Sequence, residues 1–136
     1  MHPITVLLVD DERDYLDLSA KRLSLRGFAV SVASSGHDAL ELARRRAFDV
    51  AVLDVKMPGM DGLECLRQLR QLHPHMQAIL LTGHADLSET SQGFALGAFE
   101  YLIKPVHIDE LVESLLNACS CGKQTCPPHA NEHDRG

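Results

Sequence analysis

Five apolar runs of strand length, at residues 4–9, 28–33, 48–53, 77–81 and 98–103, are separated by segments with helical spacing, and this alternation limits the fold more than any other feature. Val, Ile and Leu fill several of the runs without polar alternation, the pattern of strands covered on both faces. Between the runs, Leu16, Ala20 and Leu23 form one helical stripe, Ala39, Leu40, Ala43 and Ala47 a second, and Leu63, Leu66 and Leu69 a third. The last stripe, Ile108, Leu111, Val112, Leu115, Leu116 and Cys119, keeps the i, i+3, i+4, i+7 spacing through three turns. Strand and helix alternate five times, which predicts an α/β fold with a mostly parallel sheet and helices on both faces.

Turn residues punctuate this pattern where the geometry requires them. Gly27 ends the first helical segment, Gly36 opens the second, and His73-Pro74 closes the third, because proline restricts the residue before it. The segment from Asp86 to Gly97 is the weakest. Asp86 and Glu89 have capping spacing, but Ser88, Thr90, Ser91 and Gly93 are mediocre or poor helix formers, so a helix of marginal stability is expected there. A chain of 136 residues is one domain by length, here assigned to residues 1–119. Residues 120–136 have no periodicity and few large apolar groups, which predicts a disordered tail.

The formal charge of −6, with no basic run in either half, argues against a general nucleic-acid or membrane surface. Arg44-Arg45-Arg46 is the one cationic cluster, and it closes an apparent helix, where cations complement the dipole. No apolar stretch reaches the ~18 residues of a membrane span, and no export signal opens the chain. A cytoplasmic location is expected. The cysteines, Cys65, Cys119, Cys121 and Cys126, are then expected as thiols or metal ligands rather than disulfides. With His129 and His133, the last three could hold a tetrahedral zinc. However, Cys-x-Cys is tighter than usual finger spacing and Cys119 belongs to the last helical stripe, so the tail is read as flexible and is assigned no metal ligand. Cys65 is read as a small, partly buried hydrophobe, and His73, His75 and His107 as surface residues.

The chemistry gathers where the strands end. Val50-Ala51-Val52-Leu53 runs into Asp54 and then into the turn Met57-Pro58-Gly59-Met60-Asp61-Gly62. The first run ends in Asp10-Asp11, the fourth in Thr82, and the fifth in Lys104-Pro105. In an open α/β sheet, ligands bind just outside the carboxyl ends of the strands. Three crowded carboxylates require a cation, and oxygen ligands suit a hard ion such as Mg2+. A metal, an ammonium and a hydroxyl facing one carboxylate form a site for a phosphoryl group. Asp54 is then the nucleophile, since a carboxylate can form an aspartyl-phosphate. Singly, each residue has an ordinary structural reading: helix N-cap for Asp11, turn residue for Thr82, solvated charge for Lys104, plain aromatic for Tyr101. The whole set, in order and each at a strand end, carries the assignment.

On these residues the sequence resembles, across roughly residues 3–119, the receiver domain of two-component response regulators, in the form of a stand-alone, chemotaxis-type receiver. The resemblance implies a doubly wound, five-stranded parallel sheet of flavodoxin-like (βα)5 order. It implies that Asp54 accepts a phosphoryl group from a phosphohistidine on a sensor histidine kinase or a histidine phosphotransfer protein. Asp11 and Asp54 would ligate Mg2+ directly, Asp10 through water, and the Lys56 carbonyl would also be a ligand. Thr82 and Lys104 would bind the phosphoryl oxygens, Lys104-Pro105 would be a cis peptide, and Tyr101 would be the aromatic switch that turns inward as Thr82 moves. Lys56 and His84 stand at positions that resemble sites tuning phosphoryl lifetime, and Gly83 leaves room for phosphoryl access.

The leading expectation is therefore a phosphorylation-controlled switch that catalyses only its own phosphoryl transfer and autodephosphorylation, and is otherwise not an enzyme. No second domain follows in this sequence. It is expected to signal by contact with a downstream protein, to act as a relay step, or to be a fragment of a larger regulator, without direct binding of nucleic acid or membrane. The alternative is a Mg2+-dependent phosphohydrolase with Asp54 as nucleophile. Such an enzyme places a general acid two residues on, where this chain has Lys56. A flavin site is weaker still, because no Ser/Thr-rich or Gly-rich phosphate loop follows the first run.

Overall fold

The apolar runs become five strands, each beginning at or after the start of its run: β1 (Thr5–Val9), β2 (Ala29–Ala33), β3 (Val50–Asp54), β4 (Gln77–Thr82) and β5 (Glu100–Ile103). Between and after them lie α1 (Arg13–Leu25), α2 (Gly36–Arg45), α3 (Gly62–Leu72), α4 (Leu87–Ala95) and α5 (Ile108–Lys123). The structure, a computed structural model, describes residues 2–83 and 87–123, with side chains through Ser120. The strands form one sheet in the order β2-β1-β3-β4-β5, and every pair is parallel. This is the expected doubly wound topology.

Side chains of a strand alternate between its two faces, and the core divides accordingly. Leu7, Val9, Ala51, Leu53 and Leu80 pack with Ala39, Leu40 and Ala43 of α2 and Cys65, Leu66 and Leu69 of α3. Val6, Leu8, Val50, Val52, Ile79 and Leu81 pack with Leu16 and Leu23 of α1 and Leu111, Leu115 and Ala118 of α5. Burying both faces is what makes the strand sequences continuously apolar. The register pairs Val6 with Val50 and Asp54 with Leu81, so the ends of β1, β3 and β4 come out on one rim.

Local chemistry sets the helix ends. The Ser35 hydroxyl accepts the Asp38 N–H at 3.1 Å, and the Asp61 carboxylate accepts that of Glu64 at 2.9 Å, each satisfying an otherwise orphaned donor. Gly27 follows α1 with φ of +96°, a left-handed conformation that favours glycine. Three expectations need correction. His73 is half-buried rather than a surface residue: it caps α3, and its Nε2 lies 2.7 Å from the Ala43 carbonyl oxygen. Cys65 is fully buried, and burial pushes its thiol up to about 12. The last helix runs to Lys123, past the expected end at Cys119. The rest of the expected tail, from residue 124 on, lies outside the described residues, as do His84 and the Asp86 of the expected cap.

Helix α4 is held differently from the others. Gly93 is its one buried residue. A Cβ there would come within 2.5 Å of Leu80 Cδ1 and 3.1 Å of Tyr101 Cε2. The glycine that weakens this segment as a helix is therefore what lets it lie against β4 and β5. Charged groups anchor its ends. Arg70 of α3 donates to the Leu96 carbonyl at 3.0 Å, to Gly97 at 2.6 Å and to Met76. Near the other end, Glu89 pairs with Lys56 at 2.6 Å.

Candidate functional site

Asp10 leaves β1 and is almost fully buried, at 1% exposed. Its two oxygens are already engaged: Oδ1 accepts the Glu12 N–H at 2.9 Å and Oδ2 accepts from Lys104 Nζ at 2.9 Å. Asp54 closes β3, buried beside it. Asp11, the residue after Asp10, is exposed on the rim. Carboxylate oxygens of Asp10, Asp11 and Asp54 all lie within 4.8 Å of one another. So close a cluster of oxygen donors suits a hard cation.

The electrostatics state the same need. Burial above all, and then the charge of Asp10, raise the Asp54 carboxyl to about 6; Lys104 and the Lys56 N–H oppose them without prevailing. Lys104, from just beyond β5, reaches into this group. Its Nζ is 3.7 Å from Asp54 Oδ1 and 3.4 Å from Glu12 Oε1. Burial pulls the Lys104 pKa down, but the hydrogen bond to Asp10 and the charges of Asp10 and Asp54 outweigh it, and the ammonium is held above its ordinary range. The Lys104-Pro105 peptide is cis, as expected.

Thr82 ends β4 and is fully buried. Leu80 pairs with Tyr101 and Thr82 with Ile103. The alternation of the pleat therefore puts Thr82 and Tyr101 on one face of adjacent strands. The Tyr101 ring is half-buried there, against α4, 6.3 Å from the Phe94 ring and tilted by 49°. Lys56 is exposed and its ammonium engages Glu89 of α4, so its charge ties the loop after β3 to that helix.

Three of these contacts are invisible in the sequence pattern. Glu12 and Tyr15 reach Lys104 across 92 and 89 positions of chain, and Glu89 meets Lys56 only because α4 packs beside the loop. Gly62 had a signal, as the last residue of the Pro/Gly turn. At Gly62 a Cβ would sit 2.3 Å from the Asp54 carbonyl oxygen and 2.8 Å from Val55 Cα, and its N–H donates to the Val55 carbonyl at 2.8 Å. Backbone cannot give way as a side chain can. Gly62→Ala is expected to destabilise the fold by about 2 kcal/mol or more, the scale of overpacking, measurable as a lowered urea midpoint. An unchanged midpoint would show that α3 can withdraw from β3 without loss.

Comparison with known proteins agrees with this geometry. Residues 6–116 match the family model for the response regulator receiver domain. Response regulator MprA of Mycobacterium sp. strain KMS is 39% identical over 110 residues, which span 81% of this chain and 48% of MprA. Across the curated relatives it matches, the chain spans as little as 24% of their length. Among solved structures, a CheY-like response regulator receiver domain protein from Methanospirillum hungatei JF-1 superposes with a TM-score of 0.87 at 29% identity, covering 91% of this chain and 99% of that one. A response regulator from Burkholderia pseudomallei, described with a phosphorylated aspartic acid and a calcium ion, gives 0.79 at 28% identity, covering 90% of this chain and 73% of that one.

Proposed function

From the premise that this chain belongs to the response regulator receiver family, we propose that it is a phosphorylation-controlled signalling module whose phosphoacceptor is Asp54. The observation that carries this reading is a buried carboxylate at a strand end, with two further carboxylates and an ammonium converging on it. The donor is a phosphohistidine on a sensor histidine kinase or a histidine phosphotransfer protein. An Asp54 oxygen attacks the phosphorus, a P–O bond forms as the P–N bond breaks, and the departing imidazole keeps the electron pair and takes up a proton. The products are an aspartyl-phosphate here and a neutral histidine on the donor. The similar response regulator from B. pseudomallei, described with a phosphorylated aspartic acid and a calcium ion, supports this reading.

Mg2+ is the proposed cofactor, with Asp11 and Asp54 as direct ligands, Asp10 acting through water and the Lys56 carbonyl completing the protein ligands. When bound it supplies positive charge against the phosphoryl oxygens. Lys104 holds a second positive charge at the same place, and the Thr82 hydroxyl donates a hydrogen bond to a phosphoryl oxygen. Movement of Thr82 toward that oxygen frees space on its own face of the sheet, into which Tyr101 turns. Helix α4 responds, since one buried residue and two charged anchors leave it little core to hold it. Lys56 and His84 tune how long the phosphoryl group lasts. The chain catalyses only its own phosphorylation and autodephosphorylation, and passes the signal to a downstream protein rather than to nucleic acid or membrane.

Among the described residues no helix is long and apolar enough to cross a membrane, in keeping with the cytoplasmic location proposed. The phosphohydrolase alternative loses ground, because Lys56 stands where its general acid belongs and is paired with Glu89. Transfer from a phosphohistidine-loaded kinase is the direct test. It is expected with Mg2+ and abolished by EDTA, and Asp11→Asn should raise the Mg2+ concentration required by roughly tenfold or more. Transfer at full rate in EDTA would overturn the metal assignment, and no transfer from any kinase of a broad panel would overturn the function.

A further inference from the structure

We infer that Tyr15 is a positioning residue for phosphoryl transfer: the face of its ring holds the Lys104 ammonium where it meets the phosphoryl group. The inference deepens the reading above and rests on Lys104 binding phosphoryl oxygens. Lys104 Nζ lies 4.6 Å from the centroid of the Tyr15 ring. On its other sides are Asp10 at 2.9 Å, Glu12 at 3.4 Å and Asp54 at 3.7 Å. Of these, Glu12 is exposed at the mouth of the site and draws the ammonium outward. The ring face gives the ammonium a further, partly buried contact that does not depend on Glu12. Tyr15 is half-buried in the first turn of α1, so its ring is held by packing at the edge of the site.

The choice of an aromatic face has a physical reason. The site already contains Asp10, Asp11, Asp54 and Glu12, and it must admit a phosphoryl group that carries negative charge itself. A further carboxylate would hold the lysine but repel the phosphoryl group. A ring quadrupole attracts the ammonium and adds no net charge.

The test compares the full chain with Tyr15→Phe and Tyr15→Leu, using acetyl phosphate and Mg2+. A small donor separates the chemistry from kinase docking. Tyr15→Leu is expected to be phosphorylated about three- to tenfold more slowly, the worth of a partly desolvated cation–π contact, while Tyr15→Phe stays within about twofold of the wild type. The spectroscopic signature is the ring-current shift of the Lys104 ε-protons by NMR, expected in the wild type and Tyr15→Phe and lost in Tyr15→Leu. A leucine variant as fast as the wild type, or a phenylalanine variant as slow as leucine, would overturn the inference. So would unshifted ε-protons in the wild-type protein, which decides the matter even where Tyr15→Leu does not fold. A wild-type chain that takes up no phosphoryl group strikes instead at the reading of the site itself.

Discussion

Acetyl phosphate with Mg2+ is expected to add one phosphoryl group to this chain and none to its Asp54→Asn variant. The amide has nearly the shape of the carboxylate but lacks the anionic oxygen that attacks phosphorus. The neighbouring acids do not take its place. Asp10 is buried with both oxygens engaged, by Lys104 and by the Glu12 N–H, and Asp11 stands exposed on the rim. Intact-mass measurement checks the result, and peptide mapping locates the group. A fully labelled Asp54→Asn chain would sink the assignment.

The same substitution should stabilise the metal-free protein at neutral pH. Burial and the charge of Asp10 raise the Asp54 carboxyl from its ordinary 3.8 to about 6. Between those values the folded protein keeps a proton that the unfolded chain has released, so stability falls as pH rises. The contribution is fully present below about pH 4 and lost above about pH 6. A displacement of about two pKa units corresponds to roughly 3 kcal/mol, and sharing of charge among Asp10, Asp54 and Lys104 brings the expected gain to about 1–3 kcal/mol. Lys104 is not orphaned in the variant, because Asp10 remains at 2.9 Å. Denaturant midpoints measured from pH 4 to pH 7 should therefore diverge, with Asp54→Asn the more stable at the upper end. Mg2+ should narrow the gap by stabilising the wild type, through binding to the folded state alone. Curves that stay parallel across this range, or diverge in the opposite sense, would contradict the electrostatic account.

Both predictions begin from residues legible in the linear chain. Short apolar runs free of polar alternation, separated by helical stripes, fit strands covered on two sides, and the stripes supply the cover. That arrangement places the ends of successive strands on one rim, so Asp10, Asp11, Asp54, Thr82 and Lys104 could be grouped before any coordinate was known. Local signals of this kind are short-range: a capping side chain, a glycine after a helix, a proline before a strand.

What the linear pattern leaves open depends on residues distant in sequence. The same Gly93 lowers helix propensity over its own turn and permits close packing on Leu80 and Tyr101, and only the second effect explains its presence. His73 reads as a surface residue until the Ala43 carbonyl is found beside it. The partners of Lys104, Lys56 and Arg70 come from other elements, and each is chosen by distance rather than by order along the chain. Hydrophobic periodicity specifies which face of an element is buried, and so determined the layers, the sheet and the rim. It carries no information on which polar side chain meets which, because charge and hydrogen bonding are decided within a few ångströms. Those distances exist only once the helices have docked, and the tertiary structure alone decided them.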